Sequence, residues 1–93
     1  MRVMTLADFT PSLRRPMKVK AANGTIDLLL VEAQAIPGSQ RDGGGFRLEF
    51  HGPLQTGLVQ GTYFFLVGGQ PQEIFIVPLG PTGDKMRYEA LFF

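Results

Sequence analysis

One histidine, His51, is the only imidazole in this sequence, and every acid–base or nucleophilic mechanism that relies on one would have to use it. A Ser-His-Asp arrangement needs a base beside the nucleophile. Ser12 and Ser39 are the only serines, and neither sits in a nucleophile-elbow context. With no cysteine, thiolate metal ligands, disulfides and a cysteine nucleophile are excluded, and one histidine makes a poor basis for a zinc site. Glu49, Glu73 and Glu89 alternate with apolar residues, which predicts solvent-side charges paired with Arg47 or Arg87 rather than a catalytic carboxylate pair. Glu32 interrupts the most apolar stretch, where an unpaired carboxylate is costly, so it is expected at an exposed strand end or beside a basic partner.

Two ligand-binding patterns also fall short. Gly43-Gly-Gly45 lacks the Gly-Lys-Ser/Thr ending of a phosphate loop and precedes a strand rather than a helix. Tyr63, Phe64 and Phe65 could serve as stacking platforms for single-stranded nucleic acid. No Lys or Arg lies between Arg47 and Lys85, however, so this run has no basic companion nearby in sequence. Neither catalytic residues nor a cofactor are expected.

The elements that must position these residues read as strands. Thr5-Leu-Ala-Asp8 resembles a capping box, and Phe9 and Leu13 share a face of a short helical turn that Pro11 limits, a segment suited to plug one end of a β core. From Met17 the period becomes two, with Met17, Val19 and Ala21 alternating with Lys18 and Lys20, and Asn23-Gly24 supplies a tight hairpin turn. Residues 25–35 are apolar on both faces and read as a central strand. Residues 37–45, rich in Gly, read as a mobile surface loop. Phe46, Leu48 and Phe50 then alternate with Arg47, Glu49 and His51. Residues 62–67 and 72–79 form two further strands, and Pro78 marks an edge or bulge in the second. A sixth strand runs from Met86, and its outward positions change from Arg87 and Glu89 to Leu91 and Phe93, a patch that either closes the barrel or contacts a second copy.

Six short strands joined mostly by short turns predict an all-β fold: a small, mainly antiparallel barrel or curved sandwich with a short N-terminal helical turn. The 93 residues fit one domain spanning 1–93. A 44% hydrophobic composition with only 18% charged residues is too apolar for disorder and leaves apolar surface to spare. The net charge of +1 is split: residues 1–21 hold five basic groups and one acid, hence +4, and the rest hold four basic groups and seven acids, hence −3. No signal-peptide or membrane-spanning run is present, so a cytoplasmic product is the default expectation, compatible with assembly into an exported particle.

Five segments, Met4-Thr-Leu-Ala-Asp-Phe-Thr-Pro11, His51-Gly-Pro53, Gln60-Gly-Thr-Tyr63, Val77-Pro-Leu-Gly80 and Met86-Arg-Tyr-Glu-Ala90, together resemble a family of short bacterial proteins of unknown function. The resemblance implies a gene context of phage-tail-like or collar-type proteins. It departs at Arg14-Arg15-Pro16, where the pattern has a glycine before the first strand. The resulting expectation is a non-enzymatic structural or protein-interaction module, an accessory of a phage-tail-like or surface-appendage assembly, with a protein partner or self-association. The alternative is a small-molecule or glycan-binding barrel in which His51, Tyr63, Tyr88 and the 37–45 loop border a mouth. A third reading is nucleic-acid binding through Lys18 and Lys20.

Overall fold

Alternating apolar and polar residues resolve into strands whose buried apolar members point to one interior. The computed structural model describes residues 3–22 and 24–93. Asn23, half of the expected hairpin turn, lies outside the described residues. The strands are β1 (Pro16–Ala21), β2 (Gly24–Ile36), β3 (Gly45–Pro53), β4 (Gly61–Val67), β5 (Gln70–Thr82) and β6 (Lys85–Phe92), preceded by α1 (Leu6–Phe9) and a 3₁₀ turn, Thr10–Ser12. They close into a barrel in the order β1-β2-β3-β6-β5-β4. Every neighbouring pair is antiparallel. Of the two expected architectures, the barrel is the one formed.

The core gathers one face of each strand: Met17 and Val19, Leu28 and Leu30, Phe46, Leu48 and Phe50, Phe65 and Val67, Ile74 and Ile76, Tyr88 and Ala90. A barrel wall is one layer thick, so each strand has a single inner face. This corrects the reading of β2 as covered on both sides: Leu28 and Leu30 are fully buried while Leu29 between them is 36% exposed. Strand β5 runs longer than residues 72–79 and passes through Pro71, Pro78 and Pro81, with the pairing to β6 shifting register between Pro78 and Gly80. The irregularity announced by Pro78 is therefore a bulge inside the wall.

The N-terminal segment closes one end. Phe9 on α1 is fully buried, and its ring lies 5.6 Å from that of Phe46 and 5.9 Å from that of Phe92. The Thr5 amide donates to the Asp8 carboxylate at 2.8 Å, starting the helix as the sequence expects. Within Arg14-Arg15-Pro16, where a glycine is expected before the first strand, Arg14 adopts φ +67°, the left-handed conformation in which glycine is unstrained. It is held there by hydrogen bonds with β2: the Arg14 amide donates to the Leu30 carbonyl at 2.7 Å, and the Leu30 amide to the Arg15 carbonyl at 3.3 Å.

The loop after β2 is tied down rather than unanchored. The Arg41 guanidinium lies 5.4 and 5.3 Å from the ring centres of Phe46 and Phe92, and its Nη1 donates to the carbonyls of Met4, Asp42 and Gly44. Gly45 has no room for a side chain, because a Cβ there would fall 2.5 Å from Ser39 Cβ and 3.0 Å from the Phe92 carbonyl oxygen. Gly45 thus serves close packing at the plugged end.

Candidate functional site

Two contrasting patches cover the outside of the barrel. The first lies over β2, β3 and β6, where register places Glu32 opposite Glu49 and Glu49 opposite Glu89, a row of three carboxylates. Like charges directly across a sheet repel. Arg47, two residues along β3 on the same face, compensates by bridging the row: Nη2 reaches Glu49 at 2.8 Å, Nε donates to Glu89, and Nη1 lies 3.7 Å from Glu32. From the other side of the row, Arg87 Nε and His51 Nε2 each lie 3.1 Å from Glu49 Oε2.

Glu49 is therefore buried on the outer wall, only 8% exposed, beneath its own counter-ions. Burial alone pushes its carboxyl pKa up, but hydrogen bonds from Arg47, Arg87 and His51 outweigh this and hold it down at about 2. The hydrogen bond that Arg47 donates to Glu49 is the main reason that the Arg47 pKa is raised. A carboxylate locked in the ionised form cannot donate a proton as a general acid. The expectation that Glu49 and Glu89 pair with Arg47 and Arg87 holds for Glu49, which pairs with both, and for Glu89, which pairs with Arg47; Glu49 is less exposed than its alternation suggested. Glu73 lies elsewhere, opposite Phe64. Among the described residues, no group of three His, Cys, Asp or Glu side chains is arranged to hold a metal ion.

The second patch covers β1, β4 and β5. Phe64, Leu66 and Phe75 are 47%, 44% and 51% exposed. Register sets Lys20 opposite Phe64 on one side and Glu73 opposite Phe64 on the other, a row of cation, aromatic ring and anion. Beside it, Lys18, Lys20, Thr25, Phe64, Leu66 and Pro71 line an open depression of about 410 Å³. Lys18 is paired with Asp27 at 3.1 Å, whereas Lys20 and Glu73 have no ion-pair partner among the described residues. The basic companion that the aromatic run lacks in sequence is supplied across the β1–β4 seam.

The sequence-derived site residues divide between these places. Lys18 and Lys20 belong to the apolar patch, and His51 belongs to the charged one. Tyr88 is fully buried, and its hydroxyl accepts from the Leu58 amide at 2.9 Å. Tyr63 is half-buried and donates to the Val59 carbonyl at 2.8 Å. Both tyrosines thus hold the β3–β4 connection, while the 37–45 loop packs at the plugged end through Arg41. The structure does not gather His51, Tyr63, Tyr88 and that loop around one mouth. Leu66 and Phe75 were missed, and Phe64 and Glu73 were read only as a stacking ring and a paired surface charge, because β4 is apolar on both faces and the sequence leaves open which one is turned outward and what lies beside it.

The matched segment runs from residue 4 to residue 92, nearly the whole barrel with its plug. The chain belongs to the family described as Domain of unknown function (DUF6916). This DUF6916 domain therefore includes both patches. No curated protein and no solved structure matches the chain. No helix among the described residues is long and apolar enough to cross a membrane.

Proposed function

We propose that this domain is a non-enzymatic protein-interaction module that works as an accessory of a larger protein assembly. The phage-tail-like or surface-appendage context implied by the sequence resemblance is the setting that suits it. The observation that carries the reading is the apolar patch: two phenylalanines and a leucine, each close to half exposed, adjoin on two neighbouring strands. Clustered apolar surface with a polar rim is the usual signature of a contact site.

Two further observations support it. The titratable groups best suited to chemistry, Glu49 and His51, are engaged with each other, and Glu49 also with two arginines. The barrel interior is filled by side chains such as Phe50, Phe65, Leu48 and Tyr88, which leaves the outside as the place for recognition.

The test is affinity purification from the encoding organism, run with the wild-type chain and with a Phe64→Ser/Phe75→Ser variant whose fold is checked by circular dichroism. Associated chains, either further copies or another protein, should accompany the wild type and be lost from the variant. Identical association for both proteins, or a wild type that is monomeric and partner-free by light scattering, would overturn the proposal.

A further inference from the structure

The row Lys20–Phe64–Glu73 has a property that a general sticky patch lacks: it is complementary to itself. Lys20 and Glu73 flank Phe64 on opposite strands and carry opposite charges with no ion-pair partner among the described residues. A two-fold contact presents the same surface from both sides, so each residue must find its complement within one patch. With the axis running along β4 between two facing barrels, the flanking strands exchange sides. Phe64 then meets the partner's Phe64, and Lys20 meets the partner's Glu73, twice over.

We infer that the occupant of this face is a second copy of the chain, docked about a two-fold axis along β4 with Phe64 at its centre. The inference rests on the interaction-module reading and names the partner. Charge supports a second copy over a polyanion: Lys18 and Lys20 are balanced on this side of the barrel by Asp27 and Glu73, so the face carries no net positive charge to hold phosphates. Area also suffices. A standard interface removes about 800 Å² from each partner, about one seventh of the 5732 Å² that this chain exposes. The patch occupies three of the six staves of the wall.

Sedimentation equilibrium on four purified proteins tests this: wild type, Lys20→Glu, Glu73→Lys and the doubly exchanged Lys20→Glu/Glu73→Lys. The wild type should dimerise as concentration rises. Each single reversal should weaken the dimer at least about tenfold, because like charges then face each other. The double exchange should restore it, an outcome that misfolding or unspecific stickiness cannot give. A wild type that is monomeric throughout, a dimer indifferent to the single reversals, or a double exchange that fails to recover overturns the inference.

A parallel titration with a single-stranded oligonucleotide separates the competing occupant. Tighter binding by Glu73→Lys than by wild type, without a wild-type dimer, overturns the second copy in favour of nucleic acid. A monomer that still captures a different protein through Phe64 overturns the dimer while leaving the interaction-module reading intact.

Discussion

Glu49 shows how much an outward-facing residue can matter to this barrel. Its carboxyl titrates at about 2 in the folded chain, against an ordinary value of 4.5. A depressed folded-state pKa contributes stability that is present above pH 4.5 and lost as pH falls through about 2. Allowing for screening on an outer wall, the contribution is on the order of 2 kcal/mol. Urea unfolding of wild type and Glu49→Gln should therefore differ by about that amount at pH 7, and the gap should close towards pH 2. Curves that stay parallel over that range would show that the pairing contributes no pH-dependent stability. The pairing with arginine was legible from alternation along β3 and β6. The burial was not, since it depends on Arg47, Arg87 and His51 converging from two strands. Arg14 teaches the same lesson from the backbone side: the sequence pattern marked Arg14-Arg15-Pro16 as a place for glycine, but only the structure shows which residue takes the left-handed φ and which hydrogen bonds with Leu30 hold it.

Among the strands, β1 is the least secured. It pairs with β4 only where Val19 faces Phe65 and Lys20 faces Phe64, whereas β3 is matched along its length to β6, from Phe46 opposite Phe92 to Pro53 opposite Lys85. Local opening follows the weakest ladder. Native-state hydrogen exchange should therefore find the amides of β1 and β4 that face their seam less protected than those of β3, and equal protection would contradict a weak closure. Hairpin neighbours such as β1–β2 and β4–β5 could be read from short turns. The β1–β4 and β3–β6 pairings could not, because their partners lie far apart in sequence and no local signal sets their register. This is why Lys20 could not be placed beside Phe64 in advance.

The whole molecule depends on the plug as well as on the ring of strands. Phe9 fills the barrel end against Phe46 and Phe92, with Arg41 covering the latter two rings. Phe9→Ala should cost about 3–5 kcal/mol, as large truncations in packed interiors do, read as a lower urea midpoint; a loss under about 1 kcal/mol would mean that the barrel closes without its plug. The helical turn and its role at one end were legible from Thr5, Phe9 and Pro11. The alternation along β6 also placed Leu91 and Phe93 outward, as they are, but that Phe92 would stack on Phe46 beneath Phe9 was not legible, since these rings come from distant parts of the chain. The alternation along β4 and along residues 72–77 of β5 carries a consequence for descent. Phe65, Val67, Ile74 and Ile76 specify the interior while Phe64, Leu66, Glu73 and Phe75 specify the exterior. The fold and the outer surface of this wall are thus written in separate, interleaved letters, and a lineage can rewrite one while inheriting the other.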